Sequence, residues 1–244
     1  MTPSPAEIAR AAGLDPQRLP AHVAVIMDGN GRWAQGKGWE RLLGHRRGAE
    51  AVRAVTTAAA QLTLPRLTLY AFSSENWKRP AAEVAALMRL LADYLDGELP
   101  TLMANRVRLA AIGDLDRLPD SVRSRLAAAR AATAANAGTV LCLALSYGGR
   151  EELARACARI AASGIAPAAI DERTVAAHLD DPAGGEVDLV IRTAGEQRLS
   201  NFLPWQTTYA EYVSTPVLWP DFAADAFHDC LREFQRRRRT FGAV

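Results

Sequence analysis

Short runs rich in valine, isoleucine and leucine, at residues 22–27, 66–72, 106–112, 139–145 and 187–191, constrain this chain more than anything else in it. A weaker run follows at 209–213. Between the runs lie longer segments with helical spacing, at 45–62, 81–103, 119–136, 149–163, 171–179 and 223–239. Apolar strands with almost no polar alternation, separated by amphipathic helices, describe an α/β fold. Its mostly parallel, six-stranded sheet is flanked by helices on both faces. No linker, fixed-period repeat or low-complexity tract interrupts the pattern, so residues 21–244 read as a single domain. Residues 1–20, with Pro3, Pro5, Pro16 and Pro20, read as a flexible N-terminal lead-in holding at most one short helix. A chain of 244 residues buries roughly 70% of its unfolded surface and needs no staple.

Composition narrows the function. With 49% hydrophobic and 23% charged residues the chain is of globular type, which excludes disorder and fibrous repeats. A net charge of +2 gives no electrostatic footing for a nucleic-acid binder. Of 29 cationic side chains only Lys37 and Lys78 are lysine, so many bidentate anion-gripping forks are available where they converge. Cys142, Cys157 and Cys230 match no metal spacing and read as thiols in a reducing compartment. The first residues have no apolar core of a signal peptide, and no stretch approaches 18 consecutive apolar residues, so a cytoplasmic protein is expected.

Polar residues collect just after the apolar runs, where ligands bind in open parallel sheets. The first run ends in Asp28, followed by Gly29, Asn30, Gly31, Arg32 and Trp33. Glycines there let the backbone turn sharply and bring N–H groups near an anion. The second run ends in Ser73-Ser74-Glu75-Asn76-Trp77-Lys78-Arg79-Pro80. Gly44-His45-Arg46-Arg47-Gly48 is read as opening the helix at 45, where N–H groups and the positive dipole favour phosphate. The fifth run leads into Arg192-Thr193-Ala194-Gly195-Glu196-Gln197-Arg198-Leu199-Ser200-Asn201, and Glu211 follows. Several strand ends carrying anion-binding groups imply two phosphorylated ligands. An Asp beside a glycine-rich, Arg-bearing turn suits a divalent ion bridging carboxylate and diphosphate. Two nucleotide motifs overlap the first turn and both fit poorly. Gly29, Gly31 and Ala34 satisfy G-x-G-x-x-A, but Asp28 puts a carboxylate where a bare pyrophosphate would sit. Gly31–Gly38 approaches a P-loop, but Gly38 replaces the hydroxyl that would hold magnesium.

The segments D-G-N-G-R-W-A, G-H-R-R-G, Y-A-F-S-S-E-N-W-K-R-P, Y-G-G-R, D-L-V-I-R-T-A-G-E-Q-R-L-S-N-F-L-P-W-Q and L-W-P-D-F resemble those of the cis-prenyltransferases, in order, over about nine-tenths of the chain. The resemblance implies a catalytic domain over 21–244 with a hydrophobic tunnel, condensing isopentenyl diphosphate with an allylic diphosphate, farnesyl or geranyl, to a Z-polyprenyl diphosphate. It implies Mg²⁺ held by Asp28 and Glu211, with Asp28 and Asn76 catalytic. For substrate binding it implies Gly29, Asn30, Gly31, Arg32, Trp33, Arg41, His45, Ser73, Ser74, Glu75, Trp77, Arg79, Arg192, Arg198, Leu199 and Ser200. Trp33 and Trp77 would line the mouth of the site. Trp205 and Trp219 read as packing residues. A homodimer, no nucleic acid and at most peripheral membrane contact are expected. A neutral amide is barely basic, so Asn76 is read as relaying or positioning a proton.

The sequence departs from the family pattern at Thr240, before Phe241-Gly242, at Ser146, where Asn is usual, and at Pro204. Gln197 stands where some members have His. Two other classes compete: a non-catalytic partner subunit of the same fold, and a nucleotide-binding oxidoreductase. The first tends to lack the metal Asp and the Arg grip, all of which are present here.

Overall fold

A computed structural model describes residues 3–237; Arg238, Arg239, Thr240 and Phe241-Gly242 lie outside the described residues. Six strands, β1 (His22–Ile26), β2 (Arg66–Ser73), β3 (Arg108–Ile112), β4 (Val140–Tyr147), β5 (Leu189–Arg192) and β6 (Glu211–Ser214), form one sheet in the order β3-β4-β2-β1-β5-β6. Every neighbouring pair is parallel. The central strand β1 is buried throughout, which is why its five residues carry no polar alternation apart from His22. Val23 and Val25 face one side, where they join the larger core with Leu67, Leu69, Leu141 and Ile191. Ala24 and Ile26 face the other, with Val190, Cys142 and Phe202.

Eight α-helices accompany the sheet among the described residues: α1 (Pro5–Ala11), α2 (Asn30–Gly36), α3 (Arg41–Gln61), α4 (Ala81–Ala104), α5 (Asp120–Thr133), α6 (Gly149–Ser163), α7 (Glu172–Ala177) and α8 (Ala224–Arg236). No described helix is long and apolar enough to cross a membrane. Two sequence expectations change. From Ser4 on the lead-in is built into the fold: Ser4 caps α1 in a reciprocal box with Glu7, and Ala9 and Leu14 are buried in the main core. Asp15 and Gln235 exchange backbone-to-side-chain hydrogen bonds at 3.0 and 2.9 Å, which ties the segment to α8. Second, α3 begins at Arg41, so His45 sits one turn inside the helix rather than at its N-terminus. The helix that opens just past the end of β1 is α2, capped by Gly29 at φ 105°.

Around β1 the chain reverses direction across the sheet, with β2 on one side and β5 on the other. The crevice outside such a switch point is where open parallel sheets bind ligands. Two glycines of α3 set how closely that helix approaches it. A Cβ at Gly44 would collide with the Asn30 carbonyl group, and one at Gly48 would come within 2.9 Å of Trp219 Cδ1. Trp219 is buried between them, its indole N–H donating to the Gly48 carbonyl at 2.9 Å and its backbone N–H to the Asp28 carbonyl at 3.0 Å. Thus α3 meets the turn after β1 directly at Gly44, and Trp219 bridges the two, its indole bonded to α3 and its backbone to the turn.

Gly97 of α4, by contrast, has open space where a Cβ would lie. Gly97→Ala should therefore raise stability by about 0.5–1 kcal/mol through helix propensity. Gly44→Ala should lower it by about 1–3 kcal/mol despite the same propensity gain, because the struck group is backbone that cannot rotate aside. Urea unfolding midpoints of the two variants test the difference in sign.

Candidate active site

Asp28 leaves β1 two residues past its end and is fixed by its backbone. Its N–H donates to Thr193 Oγ1 at 2.8 Å, and that hydroxyl donates back to the Asp28 carbonyl at 2.7 Å. The carboxylate faces two cations. Oδ2 accepts from Arg192 Nη2 at 3.0 Å, and Oδ1 lies 3.6 Å from Arg32 Nη2 while accepting the Gly29 N–H at 2.8 Å. Arg192 ends β5 and is only 3% exposed. Such a buried guanidinium needs partners. Besides Asp28 it donates to Ser200 Oγ at 2.8 Å and to the Arg198 carbonyl. The loop that supplies those two partners has left-handed backbone at Ser200, Asn201 and Leu203 (φ 48°, 62° and 49°), each costing about 1–3 kcal/mol unless its surroundings enforce it.

A second group of cations stands on the α3–α4 side. Glu83 of α4 accepts from Arg79 at 3.0 Å and lies 3.9 Å from Arg41 Nε, so one carboxylate keeps both guanidinium groups together. The Arg41 guanidinium rests against Gly31, where a Cβ would be 3.2 Å from Nη2. Asp28, Asn30, Arg32, Arg41, His45, Asn76 and Arg79 line one end of a cavity of about 360 Å³ between the sheet, α3 and α4. The rest of its lining is mainly apolar, with Val52, Phe72, Leu87, Met88, Leu91, Leu143 and Leu145 beside the buried, unpartnered hydroxyl of Tyr94. Asn30 Oδ1 and His45 Nε2 are both buried there without a partner, which fits a polar ligand entering at that end. One end that binds anions and one that takes hydrocarbon describe a site for an amphiphile with a charged head.

Several expected site residues do other work in this chain. Ser73 and Asn76 form a reciprocal capping box, in which Asn76 Oδ1 accepts the Ser73 N–H at 3.1 Å. With its oxygen so engaged, Asn76 has its NH₂ left for the cavity, a donor that cannot remove a proton. Ser74 and Glu75 do not line the cavity and bond instead toward α6 and Asn201. Trp33 packs edge-on against Trp39, and its buried N–H has no partner. Trp77 lies against Phe72, donates to Ser146 Oγ at 2.9 Å and borders a separate groove along the outside of α4. Neither tryptophan lines the cavity's mouth. Ser146 holds φ 48°, a conformation asparagine tolerates well, which accounts for the residue usual there. Leu199 is exposed in its loop.

Glu211 stands apart from Asp28 within the chain. It opens β6 in register with Leu189, three residues below the Arg192–Ser214 pair, hence about 10 Å back along the sheet. Its Oε2 accepts from Arg237 at 2.9 Å. The carboxylate that does join the cluster is Glu196, 3.2 Å from Arg32 Nη2 and paired with Arg198. It lies inside a motif the sequence displayed, but nothing in its spacing marked it; nor did any signal mark Glu83, Thr193 or the gripping carbonyl of Arg198. Among the described residues no three His, Cys, Asp or Glu gather as a metal site. A single carboxylate at an anion-binding turn nonetheless suits Mg²⁺, which is commonly held by one or two carboxylates plus substrate phosphates.

The comparisons with known proteins agree with this geometry. Residues 26–242 match the family model described as "Putative undecaprenyl diphosphate synthase". An isoprenyl transferase of Heliobacterium mobile is 47% identical over 242 residues, covering 98% of this chain and 93% of its own length. The ditrans,polycis-undecaprenyl-diphosphate synthase ((2E,6E)-farnesyl-diphosphate specific) of Shewanella oneidensis is 45% identical, covering 93% of this chain and 84% of its own. Among solved structures, lavandulyl diphosphate synthase from Lavandula x intermedia, in complex with dimethylallyl diphosphate, superposes with a TM-score of 0.88 at 38% identity, covering 93% of this chain and 99% of its own. Fold and site thus define an enzyme that transfers prenyl groups, a cis-prenyltransferase. The chain belongs to the undecaprenyl diphosphate synthase family.

Burial holds His45 at a pKa of about 4, and neighbouring Arg79 adds to the effect. Burial, with help from Arg66, does the same to His22. Both imidazoles are neutral at pH 7, so His45 offers an anion one N–H and no charge. Unfolded histidine titrates near 6.5. Stability from these groups is therefore fully present above about pH 6.5 and is lost as the pH falls toward 4, where the unfolded chain binds protons that the native one refuses. The urea midpoint should fall across that window, and less steeply in His45→Gln.

Proposed function

We propose that this enzyme condenses isopentenyl diphosphate with an allylic diphosphate, farnesyl or a shorter one, in a Mg²⁺-dependent reaction that yields a Z-polyprenyl diphosphate. The observation that carries the reading is Asp28 standing between two arginine groups at the polar end of an apolar cavity. Arg32, Arg41 and Arg79, with the N–H of His45, would grip the allylic diphosphate, its hydrocarbon lying in the cavity as in a tunnel. Arg192, Arg198 and Ser200 would grip isopentenyl diphosphate. The farnesyl preference is supported by the name of the Shewanella relative.

Breaking the allylic C–O bond leaves negative charge on the departing diphosphate. Arginines already fixed by Glu83 and Asp28 stabilise that charge without reorganising. Asp28 would hold Mg²⁺, which neutralises diphosphate charge when bound. The new bond joins the allylic carbon to the terminal alkene carbon of isopentenyl diphosphate, and the proton then lost goes to the departing diphosphate. The NH₂ of Asn76 orients a phosphate oxygen by donation. Holding both substrates in line supplies the rest. The setting that goes with this reading is a cytoplasmic homodimer with peripheral membrane contact, as expected for the family. A non-catalytic partner subunit is the alternative, and the intact Asp28 and arginine groups favour the enzyme.

Purified protein given farnesyl diphosphate, labelled isopentenyl diphosphate and Mg²⁺ should make a polyprenyl diphosphate that chromatography can size. A chelator should abolish incorporation, and Asp28→Ala should do the same. Arg192→Ala should cost about 10²–10³-fold in turnover. A folded wild-type chain that incorporates nothing from any allylic starter would shift the reading to the partner subunit.

A further inference from the structure

We propose that Glu151 is a positioning residue, a latch that fastens the loop carrying Arg198 and Ser200 to the loop carrying Asn76. Glu151 stands in the first turn of α6, outside the cavity. Its Oε1 accepts from Ser74 Oγ at 2.8 Å, and its Oε2 accepts from Asn201 Nδ2 at 3.2 Å. Asn201 is held from the same helix start, its carbonyl accepting the Gly149 N–H at 2.8 Å and its Oδ1 the Arg150 N–H at 2.9 Å. Segments that follow β2, β4 and β5 thus converge on one carboxylate. The junction is closed packed: a Cβ at Gly148 would collide with Glu151 and lie 2.7 Å from Ser74 Oγ and 2.8 Å from Asn201 Nδ2.

The latch has something to restrain. The loop it holds has left-handed backbone at both Ser200 and Asn201, and Ser200 is the residue whose hydroxyl meets Arg192. Left-handed residues other than glycine persist only where neighbours over-determine them, and Asn201 is pinned through backbone and side chain at once. Burial would raise the Glu151 carboxyl, but the hydrogen bonds from Ser74 and Asn201 outweigh it and hold the group below its ordinary value, so it stays charged and accepting. This gives Ser74 and Asn201 a task in the reaction without contact to either substrate. Release of the latch lets the Arg198–Ser200 loop relax while Arg41, Arg79 and His45 keep their places.

The inference rests on the assignment of that loop to isopentenyl diphosphate, and its test separates the two. Steady-state kinetics with both substrates varied would compare the full chain with Glu151→Ala, Glu151→Gln, Ser74→Ala and the Ser74→Ala/Glu151→Ala double variant, alongside melting temperatures. Glu151→Ala should raise KM for isopentenyl diphosphate about tenfold, leave KM for farnesyl diphosphate within about twofold, and leave the melting temperature unchanged. Glu151→Gln, which keeps one acceptor oxygen, should recover part of the loss. The double variant should be no worse than Glu151→Ala, since one interaction is removed twice. An unchanged KM for isopentenyl diphosphate in Glu151→Ala overturns the latch. So does an equal rise for both substrates accompanied by a lower melting temperature. Should the wild type turn over nothing, the functional assignment falls instead. The latch is then judged by titration with inorganic pyrophosphate: weaker binding in Glu151→Ala upholds it, and equal binding overturns it.

Discussion

The buried guanidinium of Arg192 is the constraint around which this site is arranged. A charge removed from water at the end of the strand beside β1 must be met by acceptors from the protein. Those acceptors come from three places: the carboxylate of Asp28, the carbonyl of Arg198 and the hydroxyl of Ser200. Satisfying one cation therefore fixes the end of β1 and the loop after β5 relative to each other. Thr193, the next residue, then ties the Asp28 backbone down.

Around that centre the charges are arranged in overlapping pairs. Asp28 and Glu196 share Arg32, and Glu83 shares Arg41 and Arg79. Exposed ion pairs of this sort contribute little stability. Their value lies in direction, since each guanidinium is already aimed before any anion arrives. A site of this design binds diphosphate by exchanging one set of acceptors for another rather than by gathering scattered side chains.

The sheet was legible from the primary structure because burial on both faces leaves an unbroken apolar signature, plain at 22–26 and 139–145. The short helix α2 was not: Gly-Asn-Gly-Arg has neither apolar period nor helix propensity, and tertiary packing under α3 forms it. The start of α3 was misplaced for a related reason, since Gly44 and Gly48 look like a flexible opening but are contact points inside the helix. At the site, residues on strand ends, such as Asp28 and Arg192, could be placed from pattern and resemblance. The place of Glu196 beside Arg32 could not be read that way. Which carboxylate reaches the arginines depends on strand register and on a loop with left-handed residues, and neither leaves a periodic trace.

The two helical walls of the cavity differ mechanically. Helix α3 meets the turn after β1 at Gly44, against the Asn30 carbonyl, and at Gly48, against the Asn30 side chain and the Trp219 indole, so a shift of that wall presses on both residues. Helix α4 presents Leu87, Met88 and Leu91 to the same space, and long unbranched or γ-branched side chains reorient at modest cost. Side chains of α4 can therefore change shape while its Glu83 keeps Arg41 and Arg79 in place. One wall serves as the datum and the other as the adjustable jaw.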